Sequence, residues 1–221
     1  MSARTRFLRL IFLSFLVLLT LGFVSGPTRF AIDQAATDFP ITWTQNISNI
    51  QVGQEFKPRL QGVNFVELYM QDSECGTIPP PHGNDSLQVR LLIHWNSING
   101  PVIGRSVVAS LAPCFDDIAR FQFPYIVYLI PGRTYVIELV YKGGRPALAT
   151  SSTTDVYPGG AHISDGIAYG YSDLWFREGL LLPLATSQDQ CRRFGWLGVM
   201  TTEGRLFHNQ GQCIRYVNGL T

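Results

Sequence analysis

Charge is scarce in this sequence. Asp, Glu, Lys and Arg together make up 15% of its 221 residues, and the formal net charge is +1. Arg4, Arg6 and Arg9 precede an apolar run, and no acid occurs before Asp33. Setting those three aside leaves 14 basic against 16 acidic side chains, a net of −2. A body so near neutrality has no electrostatic footprint for nucleic acid, and its basic clusters are as small as Arg192-Arg193. Cysteine is sparse as well. The four cysteines form no Cys-x-x-Cys pair, and none of His82, His94, His162 and His208 stands at ligand spacing, which argues against zinc. No serine lies in a Gly-x-Ser-x-Gly context, so the nucleophile elbow of an α/β-hydrolase is missing. Asp116-Asp117 is the only adjacent acid pair, and turn chemistry accounts for it better than calcium ligation does. Residues 41–180 contain no amphipathic helical pattern longer than two turns, which excludes a helix-rich body.

Apolar residues are plentiful, at 46%, enough to build a core and to exclude global disorder. Residues 10–24 carry no charge and follow the three arginines, the layout of a secretory signal or a signal anchor. Val24-Ser25-Gly26 offers small residues for cleavage, but Pro27 is a poor residue after a scissile bond, and both readings stay open. Either one sends the remainder out of the cytoplasm. The expected organisation is a signal peptide or anchor at 1–26, a linker at 27–40 and a β-sandwich at 41–180. A second linker at 181–190 and a cysteine-bracketed segment at 191–221 complete it.

The body is written in Val, Ile, Phe, Tyr, Thr and Ser, residues that favour strands. Apolar or alternating runs fall at 63–70, 87–95, 102–109, 120–127, 134–141, 147–151, 167–171 and 173–177. In the second of these Leu87, Val89, Leu91 and Ile93 share one face. Asn99-Gly100-Pro101, Pro131-Gly132, Lys142-Gly143-Gly144 and Tyr157-Pro158-Gly159-Gly160 mark the reversals. About eight strands at this spacing predict an all-β fold, an antiparallel two-sheet sandwich of jelly-roll type after an N-terminal hydrophobic helix. Residues 73–86, rich in Pro, Gly and Asp, form a long loop of the kind that is usually functional or mobile.

Several stretches carry a resemblance. Gly53-Gln54-Glu55-Phe56-Lys57-Pro58 opens the body, and Gly100-Pro101-Val102-Ile103-Gly104 lies in its middle. Leu129-Ile130-Pro131-Gly132-Arg133-Thr134-Tyr135 and Tyr157-Pro158-Gly159-Gly160 follow, and Asp173-Leu174-Trp175-Phe176-Arg177-Glu178-Gly179 closes it. Residues 41–180 thereby resemble extracytoplasmic bacterial β-sandwich modules, similar to galactose-binding-like and carbohydrate-binding jelly rolls. The resemblance implies a binding module and leaves its ligand open. In the tail, Cys191-Arg192-Arg193-Phe194-Gly195-Trp196 and Phe207-His208-Asn209-Gln210-Gly211-Gln212-Cys213 resemble a cysteine-bracketed segment near the C-termini of secreted bacterial proteins. That segment usually has Gly-Gly-Trp soon after its first cysteine and a shorter middle than this chain has. So small a piece buries too little apolar surface to hold itself together, and a Cys191–Cys213 bridge would supply the constraint. Outside the cytoplasm disulfides are the default, and local logic adds Cys75–Cys114 within the body.

Sugar recognition needs aromatic faces and nearby polar groups. The aromatic candidates are Trp95, Tyr157, Tyr169, Tyr171 and Trp175, with Asp155, Asp173 and Arg177 as polar partners. Trp175 reads more readily as core, and Tyr157, in a Pro-Gly turn, as solvent-facing. Arg177 and Glu178 are an expected ion pair. Asn46-Ile47-Ser48 and Asn84-Asp85-Ser86 are glycosylation sequons, relevant only in a host that uses them. No catalytic residue is assigned, and the expected partner is carbohydrate or another cell-envelope component, with the membrane added if the N-terminal segment stays uncleaved. No cofactor is required. Calcium is left open, with Asp116, Asp117 and Asp155 as its acids. The alternatives are a structural or protein-interaction module of the envelope and, behind both, a hydrolase.

Overall fold

The computed structural model describes residues 27–38, 43–76 and 85–219. The signal peptide or anchor expected at 1–26, together with His82 and Asn84, lies outside these residues. Among those described, the protein is almost wholly β. Two antiparallel sheets face each other as a sandwich, and a small helical lobe follows.

The first sheet is built around β4 (Gly62–Asp72). β8 (Asp116–Tyr128) runs along one edge of β4. The other edge is shared end to end by β13 (Phe176–Pro183), paired with 65–68, and β10 (Ala147–Ser151), paired with 70–72. β1 (Thr28–Ala36) then pairs with β13, and β2 (Trp43–Asn46) with β10. The second sheet runs β12 (Ile167–Tyr169), β11 (His162–Ser164), β3 (Val52–Phe56), β9 (Tyr135–Gly143), β5 (Leu87–Trp95), β6 (Val102–Arg105). β7 (Ala109–Leu111) also pairs with β5. Leu87, Val89, Leu91 and Ile93 are all fully buried on one face of β5, as their spacing predicts. They meet Phe56, Tyr135 and Ile137 from their own sheet and Val66, Leu68, Phe121 and Phe176 from the opposite one.

Three local departures from the sequence reading have physical causes. Residues 28–36, expected within a linker, form a strand because β13 otherwise presents an open edge of unpaired backbone groups. The run at 102–109 splits into β6 and β7 at Ser106, whose hydroxyl accepts the Leu91 amide at 2.9 Å and donates to the Val107 carbonyl at 2.7 Å. Asp173 is no strand residue: β13 starts at Phe176, and it runs on to Pro183 through the first residues of the second expected linker.

Two bulges set the register of the first sheet. One leaves Asp33 without a partner on β13, between Ile32↔Gly179 and Gln34↔Glu178. Its carboxylate accepts the Arg59 and Leu60 amides, both at 2.8 Å. The other leaves Asn64 unpaired against β8, and its amide completes the ladder to Leu181 with bonds of 3.0 and 2.7 Å.

Both expected disulfides are present, Cys75–Cys114 and Cys191–Cys213. Behind the first lies a buried ion pair between Asp72 and Arg145 at 2.7 Å, and Asp72 also accepts the Cys114 amide at 2.7 Å. The second joins α1 (Gln188–Cys191) to α2 (Gln210–Asn218). Ser187 and Gln190 form a capping box at the start of α1, and Asn209 caps α2 by accepting the Gln212 amide at 2.9 Å. Ala185, Val199, Phe207 and Val217 pack around the bridge as a core separate from the sandwich. Two disulfides fit an extracytoplasmic compartment. No helix among the described residues is long and apolar enough to cross a membrane.

Candidate functional site

A cleft of about 440 Å³ opens where the edge of one sheet meets the edge of the other. β2 supplies Thr44 and Gln45, and β11 supplies His162 and Ser164. Ser164 donates to the Gln45 side chain at 3.1 Å and so ties the two sheets together across the cleft. β12 and the turn after it bring Tyr169 and Tyr171, and Ser152, Thr153 and Ser172 close the wall.

The β11–β12 hairpin exists because Asp165-Gly166 makes a two-residue turn with both φ angles positive, at 52° and 75°. Such a turn matches the twist of the flanking strands, and Asp-Gly is among its preferred pairs. The turn aligns His162 opposite Tyr169, with ring centroids 6.2 Å apart. Tyr171 meets Tyr169 edge to face at 5.7 Å and leaves 65% of its surface in solvent. Ser152 of this wall is held from behind by a buried polar junction. Asp173 Oδ2 accepts the Val156 and Tyr157 amides, both at 2.8 Å, and Oδ1 accepts Gln54 Nε2 at 2.9 Å. Gln54 Oε1 accepts the Leu174 amide at 2.7 Å. The Asp173 amide donates to Ser152 Oγ at 3.0 Å, and the Ser152 amide to the Asp173 carbonyl at 2.8 Å.

His162 is the unusual member. It is 1% exposed, its Nδ1 lies 3.1 Å from Ser172 Oγ, and its Nε2 has no protein partner. Burial pulls its pKa from 6.5 down to about 4, so the ring is neutral at physiological pH. One ring nitrogen of a neutral imidazole donates and the other accepts, and Nε2 has no hydrogen-bond partner among the described residues in either role. Among the described residues no Asp, Glu, Lys or Arg lines the cleft. The walls therefore offer hydroxyls, an amide, an imidazole and two phenol rings, a surface fit for neutral hydrogen-bonding ligands.

Of the residues singled out in the sequence, the structure brings Tyr169 and Tyr171 into this cleft and sets the others elsewhere. Tyr157 is buried rather than solvent-facing: its ring packs on Phe176 at 5.3 Å and its hydroxyl accepts the Lys57 amide at 3.0 Å. Desolvation pushes its pKa up to about 12. Asp173 is fully buried off the cleft wall, where its carboxylate accepts two backbone amides and the Gln54 side chain. Desolvation raises its pKa against the opposing effect of those bonds. Trp95 stacks edge-on against Tyr135 at 5.2 Å, and Trp175 is partly buried against Tyr69 at 6.3 Å. Asp155 is exposed and off the cleft wall. Arg177 pairs with Glu67, which also binds Arg120 at 2.7 Å, and not with Glu178. Neighbouring strand residues point to opposite faces, which separates Arg177 from Glu178. Asp116 accepts from Gln71 at 2.9 Å and Asp117 from the Ile118 amide at 2.7 Å. Among the described residues no three His, Cys, Asp or Glu side chains gather as a metal site.

No protein-family model matches this sequence, and no curated protein does. The cleft's chemistry therefore rests on its own residues. Gln45, Ser152, His162, Ser164 and Ser172 carry no motif. The Asp165-Gly166 pair between two short β-type runs is the one signal that could have pointed to their hairpin.

Proposed function

We propose that this protein is a non-catalytic, extracytoplasmic binding module for a neutral, hydroxyl-rich ligand of carbohydrate type, held in the cleft between β2 and the β11–β12 hairpin. The observation that carries this reading is a hydroxyl-lined cleft with no charged side chain among the described residues, beside the Tyr169–Tyr171 pair, of which Tyr171 is exposed. Exposed phenol faces add stacking area for a sugar ring. The lack of charged walls disfavours anionic ligands. Ser172 and His162 lie close, but His162 Nε2 meets no carboxylate to orient it and the ring is a weak base, which supports a binding role over hydrolysis.

The test is a glycan-array screen of the oxidised protein, run with calcium and again with chelator. Saturable binding to a neutral glycan class is expected. Tyr171→Ala should weaken it about tenfold, the worth of one aromatic contact. A blank array on folded protein would move the assignment to a structural or protein-interaction module of the envelope. Turnover of an array glycan that is lost in Ser172→Ala would overturn the non-catalytic reading.

A further inference from the structure

A second and larger groove, of about 740 Å³, separates the sandwich from the C-terminal lobe. Its walls are apolar, with Leu60, Ile126 and Leu180 on the sandwich side and Trp196, Leu206 and Phe207 on the lobe. Large side chains around it stand in water: Tyr128 is 80% exposed, Phe194 76% and Leu197 49%. Phe194 sits at φ 67°, a backbone region that bulky residues seldom adopt. The charged residues lining the groove are Arg59 and Arg193, both exposed, and no Asp or Glu joins them. Apolar surface of this kind rimmed by cations suits a partner that is apolar within and anionic at its surface.

Position selects among such partners. The Pro27 carbonyl accepts the Leu184 amide at 3.1 Å. Leu184 bridges to Met200, and Met200 bridges to Leu206 on the groove wall. The uncharged run of residues 10–24 ends three positions before Pro27, a reach of at most about 10 Å of chain. A bilayer that holds this run is therefore within that reach of Pro27, whose partner Leu184 at the strand end bridges to the lobe. We propose that the groove rim docks on the interface of an anionic lipid bilayer. Phe194, Leu197 and Tyr128 enter the headgroup region, and Arg59 and Arg193 meet lipid phosphates. The inference rests on the anchor reading of residues 10–24, in which they stay uncleaved in the bilayer, and is independent of the carbohydrate cleft.

The experiment places the full chain in vesicles of phosphatidylcholine, alone or with phosphatidylglycerol, whose brominated acyl chains quench nearby tryptophan. Two variants report, Phe194→Trp at the groove and Ile167→Trp beside the cleft, where Ile167 is 58% exposed. The added indole at 194 is expected to be quenched in the anionic vesicles, and that at 167 to stay bright. Adding Arg59→Gln and Arg193→Gln to the first variant should restore its emission, because two lost cations weaken docking about 30-fold. These arginines are exposed, so an unchanged circular dichroism spectrum is expected and serves as the folding check. Equal brightness at both positions overturns the proposal, as does quenching indifferent to lipid charge and to both arginines. Dimers in detergent that Phe194→Trp disperses, without lipid quenching, would assign the groove to a second copy and overturn it as well.

Discussion

At the scale of the residue, several polar side chains stand in for backbone. Asn64 completes a ladder interrupted by a bulge, Ser106 accepts the amide that a straight strand would have satisfied, and Asp173 holds two successive amides and the Gln54 side chain. Each replaces hydrogen bonds that the buried backbone cannot take from water. Asp173→Ala leaves the Val156 and Tyr157 amides without an acceptor, at about 1–3 kcal/mol apiece, while Gln54 Nε2 keeps the Glu55 carbonyl at 3.1 Å. The expected loss is therefore about 2 kcal/mol or more in denaturant unfolding. Asp173→Asn, which keeps the shape and one acceptor oxygen, should lose clearly less. Equal losses for the two would show that the carboxylate's hydrogen bonds are not what matters there. A candidate ligand residue in the sequence thus does its work inside the protein: an Asp before an apolar run reads the same in one dimension whether it faces a sugar or a turn.

At the scale of the element, β1 depends on one close approach. Gly179 on β13 faces Ile32, and a Cβ placed there would stand 2.0 Å from the Ala31 carbonyl oxygen. Gly179→Ala must push the strands apart at the Asp33 bulge, at a cost of about 1–3 kcal/mol. Amide hydrogen exchange should then speed up along 28–36 and stay unchanged in β9, which is paired on both sides. Unaltered exchange in β1 would mean that the bulge absorbs the methyl group. The long strands β4, β5, β8 and β9 were legible because sustained apolar or alternating runs leave a strong trace, as on β5. The short β6, β10 and β12 fell within such runs as well. The nine-residue β1 was not legible. Neither were β2, β3 and β11, which span three to five residues and, apart from residues such as Val52 and Phe56 of β3, carry Gln, Thr, Ser and His, a composition shared with loops. They are strands because neighbours need edges covered, a tertiary cause that no local pattern records. The candidate cleft lies on two of them, which is why its aromatic residues could be named in the sequence and its polar ones could not. The disulfides were legible because four cysteines split into one pair per structural unit.

At the scale of the whole molecule, two buried titratable groups pull stability in opposite directions with pH. His162 is held neutral, its pKa lowered from 6.5 to about 4. The unfolded chain binds more protons than the folded one across that interval. Its contribution is thus fully present above pH 6.5 and is lost as the pH falls through about 4, about 3 kcal/mol in all. Glu178 behaves in the reverse sense. Burial raises its pKa well above 4.5, with Asp33 adding in the same direction, so the folded state holds the proton that the unfolded state releases. Its contribution is present below pH 4.5 and declines as the pH rises towards the folded pKa. Together the two groups narrow the range of highest stability from both sides. Between pH 4.5 and 6.5 the two slopes oppose each other, so the wild-type curve conceals both and the variants separate them. In chemical denaturation from about pH 4 to pH 9, the stability of His162→Gln relative to the wild type is expected to rise as the pH falls from 6.5 to 4. Glu178→Gln, which keeps the shape without the ionisation, is expected to gain stability on the alkaline side and little at pH 4. If the wild-type curve runs parallel to that of His162→Gln between pH 6.5 and 4, then His162 takes its proton in the folded cleft without penalty. Water or a ligand hydroxyl would then already occupy the place beside Nε2.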